Sequence, residues 1–104
     1  MQIEITSRLS ETPSALREYI SQHLQDLQRF GEDFEGGEMM LNTEGSDFHC
    51  EGILRRHRGD AIVASDSNAD LRSAVDNVVA KLGRQILKSK EKPAAKARRR
   101  RSAD

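Results

Sequence analysis

The stretch that decides the fold runs from residue 38 to residue 65 and is EMMLNTEGSDFHCEGILRRHRGDAIVAS. Apolar and polar residues alternate within it over residues 38–43, 48–55 and 61–65, and this period of two predicts three half-buried strands. The segments Gly45-Ser46-Asp47 and Arg58-Gly59-Asp60 separate these strands and have the composition of turns. We therefore expect three consecutive strands joined by short turns.

Downstream of these strands, apolar residues recur at helical spacing from Leu71 to Ile86. They predict a second helix from about residue 69 to about residue 90, with Asn68 or Asp70 as its N-cap. Gly83 lies inside this helix, where glycine destabilises by roughly 1 kcal/mol relative to alanine. Pro93 cannot continue the helix, so we expect residues 93–104 to form a basic disordered tail.

Upstream of the three strands, residues 1–6 alternate between apolar and polar and predict a first strand. Thr12 and Pro13 predict the start of a first helix, with threonine as N-cap and proline at the first helical position. Helical spacing of apolar residues extends this helix to about Arg29, and Gly31 is well placed to end it.

The predicted order is β-α-β-β-β-α, with Gly36-Gly37 as a break before the second strand. One half-buried sheet face and two amphipathic helices predict an α+β fold, a two-layer sandwich. In it both helices cover one face of a four-stranded sheet. The first strand must join the later strands through the first helix.

Length and composition limit the class of protein. The 104 residues suit one domain. No apolar run approaches 18 residues, and the N-terminus lacks the pattern of a signal peptide, so we expect no membrane partner. Cys50 is the only cysteine and cannot form an internal disulfide, which is typical of a cytoplasmic protein.

The net charge of zero conceals a strong asymmetry along the chain. Residues 1–80 contain 7 Lys/Arg and 15 Asp/Glu, whereas residues 81–104 contain 10 Lys/Arg and 2 Asp/Glu. A solvated helix with a disordered basic tail is one interpretation. We prefer a polyanionic partner bound by the C-terminal end, because the helix dipole would account for only two or three of the basic residues.

Four basic residues of the second predicted helix lie on one side of it. At about 100° per residue they fall within an arc of about 80°, next to the apolar side rather than opposite it. These residues, the basic stripe, are Lys81, Arg84, Lys88 and Lys92. A row of cations along a packed helix can contact successive phosphates of a folded RNA.

A second basic segment, residues 55–58, ends the third strand. It is equally well interpreted as a solvated hairpin end or as a further RNA contact. Catalysis is not indicated, because His49 and Cys50 point to opposite faces of one strand and no nucleophile or acid–base set converges. No cysteine or histidine spacing indicates a metal site, so we expect neither a metal nor a cofactor and conclude that the protein is not an enzyme.

Three segments resemble the ribosome hibernation-promoting factors, also called ribosome-associated inhibitor or sigma-54 modulation proteins. Residues 12–30 (TPSALREYISQHLQDLQRF) resemble the first helix of that family. Residues 66–76 (DSNADLRSAVD) resemble the start of its second helix, and residues 81–92 (KLGRQILKSKEK) resemble the basic end of that helix. The resemblance covers residues 1–92 in the matching order of elements. At Arg72 this chain departs from the family, which usually has an aromatic residue there.

The resemblance implies that residues 1–92 form a ribosome-binding domain. The partner it implies is the small ribosomal subunit and its RNA, in a free subunit or a whole ribosome, at the decoding region where mRNA and tRNA would sit. Translation would be blocked sterically by a cytoplasmic protein of the short form, monomeric off the ribosome. The RNA-binding residues implied by the match are Lys81, Arg84, Lys88, Lys90, Lys92 and Arg8.

Two other hypotheses stay open from the sequence. A general double-stranded-RNA module can also be built from two helices over a sheet, and it would bind free duplex nearly as well as ribosomes. A regulator that acts through protein contacts, as the sigma-factor name suggests, would form a complex that survives nuclease.

Overall fold

A computed structural model describes residues 1–90, without the side chain of Lys90. The first half of the chain forms strand β1 (Gln2–Ser7), helix α1 (Ser14–Asp26) with a 3₁₀ turn (Leu27–Phe30), and strand β2 (Phe34–Glu44). The second half forms strands β3 (Asp47–Arg56) and β4 (Ile62–Asn68) and helix α2 (Leu71–Lys90). The predicted element order is confirmed.

The four strands form one sheet in the order β1-β2-β3-β4. β1 pairs with β2 in parallel, whereas β2–β3 and β3–β4 are antiparallel hairpins. A parallel pair needs a crossover, and α1 supplies it. α1 packs against β1, and α2 packs against β3 and β4. The two-layer α+β sandwich with both helices on one face is therefore confirmed.

The core lies between the two layers and contains no charged residue among those the structure describes. Alternate strand residues such as Met39, Cys50 and Leu54 are fully buried beneath the helices. From the helices the fully buried residues are Ile20, Leu24, Ala74, Val75, Val78, Leu82 and Ile86. The period of two in the strands and of 3.6 in the helices therefore selected the buried faces correctly.

The start of the first helix corrects the sequence prediction. Pro13, not Thr12, is the N-cap: its ψ of 145° is extended, and the helix begins at Ser14. The Thr12 hydroxyl makes no capping hydrogen bond and lies 2.6 Å from the Ser7 hydroxyl instead. α1 is also shorter than predicted, because the chain tightens into the 3₁₀ turn at Leu27. Gly31 ends that turn in the left-handed conformation, as expected, with φ 88°.

The strand boundaries also differ from the predictions. Gly36 and Gly37 lie inside β2, where Gln2 pairs with Gly36 and Ile3 with Gly37. The prediction of a break there was wrong, because pairing with β1 on one side and with β3 on the other extends β2 backwards through the glycines. The first hairpin loop is only Gly45 and Ser46, since Glu44 pairs with Asp47. β4 continues beyond its predicted end to Asn68 because it stays paired with β3.

Asp70 caps α2, which decides between the two predicted N-caps. Its carboxylate accepts hydrogen bonds from the Ser73 backbone N–H at 3.0 Å and the Ser73 hydroxyl at 2.7 Å. Asn68 accepts a hydrogen bond from the backbone N–H of Asp70 at 2.9 Å and so supports the turn before the helix.

The predicted tail, residues 93–104, lies outside the described residues. Neither helix within residues 1–90 is long and apolar enough to cross a membrane.

Candidate nucleic-acid interface

The basic stripe begins where α2 borders β4, at Lys81, and continues along the exposed side of the helix. Arg84 and Lys88 are exposed there, and neither forms an ion pair with another described side chain. Lys92 and the side chain of Lys90 lie outside the described part of the chain. The structure therefore describes three positions of the stripe, and two of them have no carboxylate partner within residues 1–90.

Lys81, the first residue of the stripe, is held by β4. Its ammonium donates a hydrogen bond to the Ser65 backbone carbonyl at 2.8 Å and lies 3.3 Å from the Asp66 carboxylate. A hydrogen bond from the Asn77 side chain and the nearby Lys81 ammonium keep the pKa of Asp66 below its usual value. Lys81 thus faces an ionised carboxylate, and part of its charge is already balanced.

Gln85, one helical turn after Lys81, also donates a hydrogen bond to a backbone carbonyl of β4, a contact that the sequence did not predict. Its side-chain amide donates to the Val63 backbone carbonyl at 2.8 Å. β4 is an edge strand, and unpaired edge carbonyls favour pairing with other chains. Gln85 and Lys81 together cover two of these carbonyls. The i, i+4 spacing of Lys81 and Gln85 is visible in the sequence. The sequence does not show that β4 is an edge strand beside them, and only that position explains why both side chains donate to its carbonyls.

Arg8 lies far from the stripe. It directly follows β1, and its backbone N–H donates to the Leu41 carbonyl at 2.9 Å. β1 and β4 are the two opposite edges of the sheet. Three strand spacings separate them, about 14 Å. The structure therefore does not bring Arg8 together with Lys81, Arg84 and Lys88, and an RNA contact at Arg8 would be a separate one.

The second basic segment, residues 55–58, is largely neutralised by acidic neighbours. Arg55 pairs with Glu38 at 2.9 Å, and Arg56 pairs with Glu32 at 2.8 Å. Arg56 also donates to the Ser89 hydroxyl at 2.7 Å, which ties β3 to the end of α2. These contacts favour the interpretation of this segment as a structural hairpin end.

The sheet face that points away from the helices, the outer face, has the opposite charge. Alternation along the strands places five carboxylates on it: Glu4, Glu38, Glu44, Asp47 and Glu51. Arg55 is paired with one of them. Charge is therefore separated between the outer face and the exposed stripe side of α2. A polyanion is attracted to the stripe and repelled by the outer face.

Burial of the Cys50 side chain makes its thiol a poor nucleophile. Burial, with a smaller effect of the nearby Asp66 carboxylate, raises the pKa of the Cys50 thiol to about 11. The thiol is therefore protonated at neutral pH and packs as an apolar core residue.

A histidine, a serine and a glutamate meet on the outer face, but in an order unlike a catalytic triad. The Ser67 hydroxyl donates to Glu44 at 2.7 Å and lies 2.8 Å from His49 Nδ1. In a triad the histidine lies between the hydroxyl and the carboxylate, whereas here the hydroxyl lies between the other two. Within residues 1–90 no group of three or more His, Cys, Asp or Glu side chains is arranged to hold a metal ion.

Comparison with known protein sequences identifies a family. The family model described as Sigma 54 modulation protein / S30EA ribosomal protein matches residues 3–94. A ribosome hibernation promoting factor of Azotobacter vinelandii is 28% identical over 104 residues, which span 100% of this chain and 96% of that protein. The factor of that name from Escherichia coli K12 is 29% identical over 92 residues, or 88% of this chain and 96% of the other.

Solved structures agree with the fold. The N-terminal domain of Thermus thermophilus Protein Y matches with a TM-score of 0.73 at 27% identity, covering 83% of this chain and 96% of that chain. A ribosomal subunit interface protein from Coxiella burnetii matches with a TM-score of 0.76 at 22% identity, covering 88% and 100%. The second likeness supports the fold alone.

Proposed function

Because the chain belongs to the sigma 54 modulation protein / S30EA ribosomal protein family, we propose that it is a ribosome hibernation factor. It binds the small ribosomal subunit at the decoding region and sterically blocks mRNA and tRNA. Residues 1–92 form the binding domain. The protein acts in the cytoplasm as a monomer when it is off the ribosome, and it carries out no chemistry.

The observation that carries this proposal is the exposed side of α2 at Arg84 and Lys88. These side chains stand on a helix whose apolar side, with Val78, Leu82 and Ile86, is fully buried. A cation on a packed helix loses less conformational entropy on binding than one on a free chain, so its contact with a phosphate is stronger. Lys90 and Lys92 continue the same helix end in the sequence, and we include both in the proposed RNA contact.

The charge of the other surfaces supports one binding orientation. Ribosomal RNA is a polyanion, and the outer face carries five carboxylates. The side of the molecule at α2 therefore faces RNA in the proposed complex, and the outer face points away from it. Arg8 lies at the opposite sheet edge beside Glu51 of the outer face, so the RNA contact that we propose there is separate from the one at α2 and requires RNA to reach that edge.

The direct test is co-sedimentation of the purified protein with ribosomes on sucrose gradients, at low and high salt. We expect the protein to travel with small subunits or whole ribosomes and to dissociate as salt rises. Added mRNA and tRNA should compete with it. Free protein at the top of the gradient at low salt would contradict the proposal. Equal affinity for free RNA duplex would support the general RNA module, and a nuclease-resistant protein complex would support the protein-contact regulator.

The double substitution Arg84→Ala and Lys88→Ala tests the stripe itself. Each lost phosphate contact should reduce the slope of log affinity against log salt by roughly 0.7 to 0.9. Arg55→Ala is the matched control, since it removes an arginine whose side chain is 44% exposed on the outer face. The control should leave the slope unchanged. An unchanged slope in the double variant would rule out this side of α2 as the contact surface.

A further inference from the structure

Three side chains in contact lie between α1 and the first turn of α2, away from the basic stripe. The Arg72 guanidinium carbon is 4.1 Å from the centre of the Tyr19 ring, and the His23 ring centre is 4.0 Å from the same ring. The Tyr19 hydroxyl donates to the Asp76 carboxylate at 2.5 Å. The tyrosine ring is thus held from both helices, and the guanidinium rests on a fixed aromatic surface.

A cleft of about 250 Å³ opens beside this contact, and we call it the Tyr19–Arg72 cleft. Its lining residues are Pro13, Ala15, Leu16, Tyr19 and Arg72. Pro13, Ala15 and Leu16 are apolar, Tyr19 is aromatic and Arg72 is a planar cation. Pro13, Ala15 and Arg72 are exposed, so the cleft is open to a ligand from solution.

The charges around the cleft argue against a phosphate ligand. Arg72 contributes one positive charge, but the carboxylates of Asp70 and Asp76 lie close to it along α2. Hydrogen bonds from the Ser73 hydroxyl and backbone N–H keep the pKa of Asp70 below its usual value, so this carboxylate is ionised at neutral pH. Two carboxylates against one guanidinium repel an anion. A neutral planar ring meets no such repulsion.

We propose that the Tyr19–Arg72 cleft binds one unpaired base of RNA. Unpaired bases stack on aromatic rings and guanidinium planes, and the guanidinium N–H groups can donate to oxygen and nitrogen acceptors on the base edge. This inference rests on the proposed function, since it assumes that α2 lies against ribosomal RNA. Twelve residues of helix separate Arg72 from Arg84, a rise of about 18 Å, and at about 100° per residue the two side chains point about 120° apart. An RNA that contacts both must therefore follow the exposed side of α2 from the stripe round to the α1 side.

Two substitutions separate stacking from charge. Arg72→Lys keeps the charge and loses the plane, whereas Arg72→Tyr keeps a plane and loses the charge. For base stacking we expect Arg72→Lys to weaken ribosome binding about tenfold, Arg72→Tyr to bind nearly as wild type, and the salt slope to stay unchanged in both. The reverse order of affinities with a smaller slope in Arg72→Tyr would indicate a phosphate contact and overturn the inference. Unchanged affinity in both variants would also overturn it.

Arg84→Ala, measured in the same assay, separates the inference from the proposed function. If Arg84→Ala weakens binding and neither Arg72 variant does, the base site is wrong and the ribosome-binding proposal stands. If the wild-type protein does not bind ribosomes at all, the proposed function fails, and the cleft is then judged by a ribosome-free measurement.

That measurement uses the single tyrosine of the chain. The Tyr19 ring signals in an NMR spectrum of the full chain are unambiguous, and octa-adenylate is the probe. We expect the ring signals to shift on addition of the oligonucleotide in the wild type and to stay in place in Arg72→Ala. Ring signals that do not move in the wild type, or that move equally in Arg72→Ala, would overturn the base site.

Discussion

Two glycines at the contact between α2 and its neighbours differ in the room around them. A Cβ built on Gly52 of β3 would lie 2.7 Å from Val78 Cγ1 and 3.0 Å from Leu82 Cδ1. A Cβ on Gly83 of α2 would lie 3.4 Å from Phe30 Cε2 and 3.6 Å from Leu27 Cδ2, which is ordinary contact. Gly52 therefore lets α2 approach the sheet, whereas Gly83 leaves space that a methyl group can use.

The same substitution should have opposite effects at these two sites. Gly83→Ala should raise the free energy of unfolding by roughly 0.5 to 1 kcal/mol, because alanine is the better helix former. Gly52→Ala should lower it by about 1 to 3 kcal/mol, because a stiff valine and a buried leucine must move. Urea unfolding followed by circular dichroism measures both. A change of the same sign in the two variants would contradict this account.

At the scale of the element, the N-terminus of α2 depends on an ionised cap. Asp70 accepts two hydrogen bonds from Ser73, which lower the pKa of its carboxyl below the unfolded value. A group with a depressed pKa stabilises the fold above its unfolded pKa of about 3.9. That contribution is lost as the pH falls through the folded pKa.

Asp70→Asn should therefore flatten the acid side of the stability curve. An asparagine at this position still caps the helix but does not titrate. We expect the thermal midpoint of the variant to fall less than that of the wild type between about pH 4 and about pH 2. Parallel curves for the two proteins over this range would show that the cap does not contribute to acid unfolding.

The contacts of Lys81 with the β4 edge predict that Lys81 contributes less than Arg84 to the salt dependence of ribosome binding. The Lys81 ammonium already donates to Ser65 and pairs with Asp66, whereas Arg84 has no ion pair within residues 1–90. Lys81→Ala should therefore reduce the salt slope of ribosome binding by less than Arg84→Ala does. Equal reductions, measured by co-sedimentation over a range of salt, would mean that Lys81 leaves β4 when RNA binds.

At the scale of the whole molecule, positive charge lies at two separate edges of the sheet. Arg8 follows β1, and the stripe borders β4 at the opposite edge. Sites this far apart, with no shared partner, act independently. Losses of ribosome-binding free energy in Arg8→Ala and Arg84→Ala should therefore add in the double variant. A coupling above about 0.5 kcal/mol would contradict two separate contacts. No loss in Arg8→Ala would remove Arg8 from the interface.

The sequence by itself determined the element types, their order, the buried faces and the row of cations on α2. Each depends on a local period that the chain repeats every two residues in a strand or every 3.6 in a helix. For the β-α-β-β-β-α order, a two-layer sandwich is the compact arrangement that buries the apolar sides of both helices against one face of the sheet. The predicted set of RNA-binding residues came partly from this period and partly from family resemblance, and it stays a prediction.

Only the tertiary structure decided which residues meet across long stretches of chain. Pairing with β1 and β3 places Gly36 and Gly37 inside β2, and the Thr12 hydroxyl contacts the Ser7 hydroxyl instead of capping the helix. Arg56 forms an ion pair with Glu32, and the Lys81 ammonium donates a hydrogen bond to a backbone carbonyl at the β4 edge. The Tyr19–Arg72 cleft arises in the same way, where two residues 53 positions apart in sequence meet between α1 and α2. No local period encodes such contacts, because they depend on strand order and on how the helices pack.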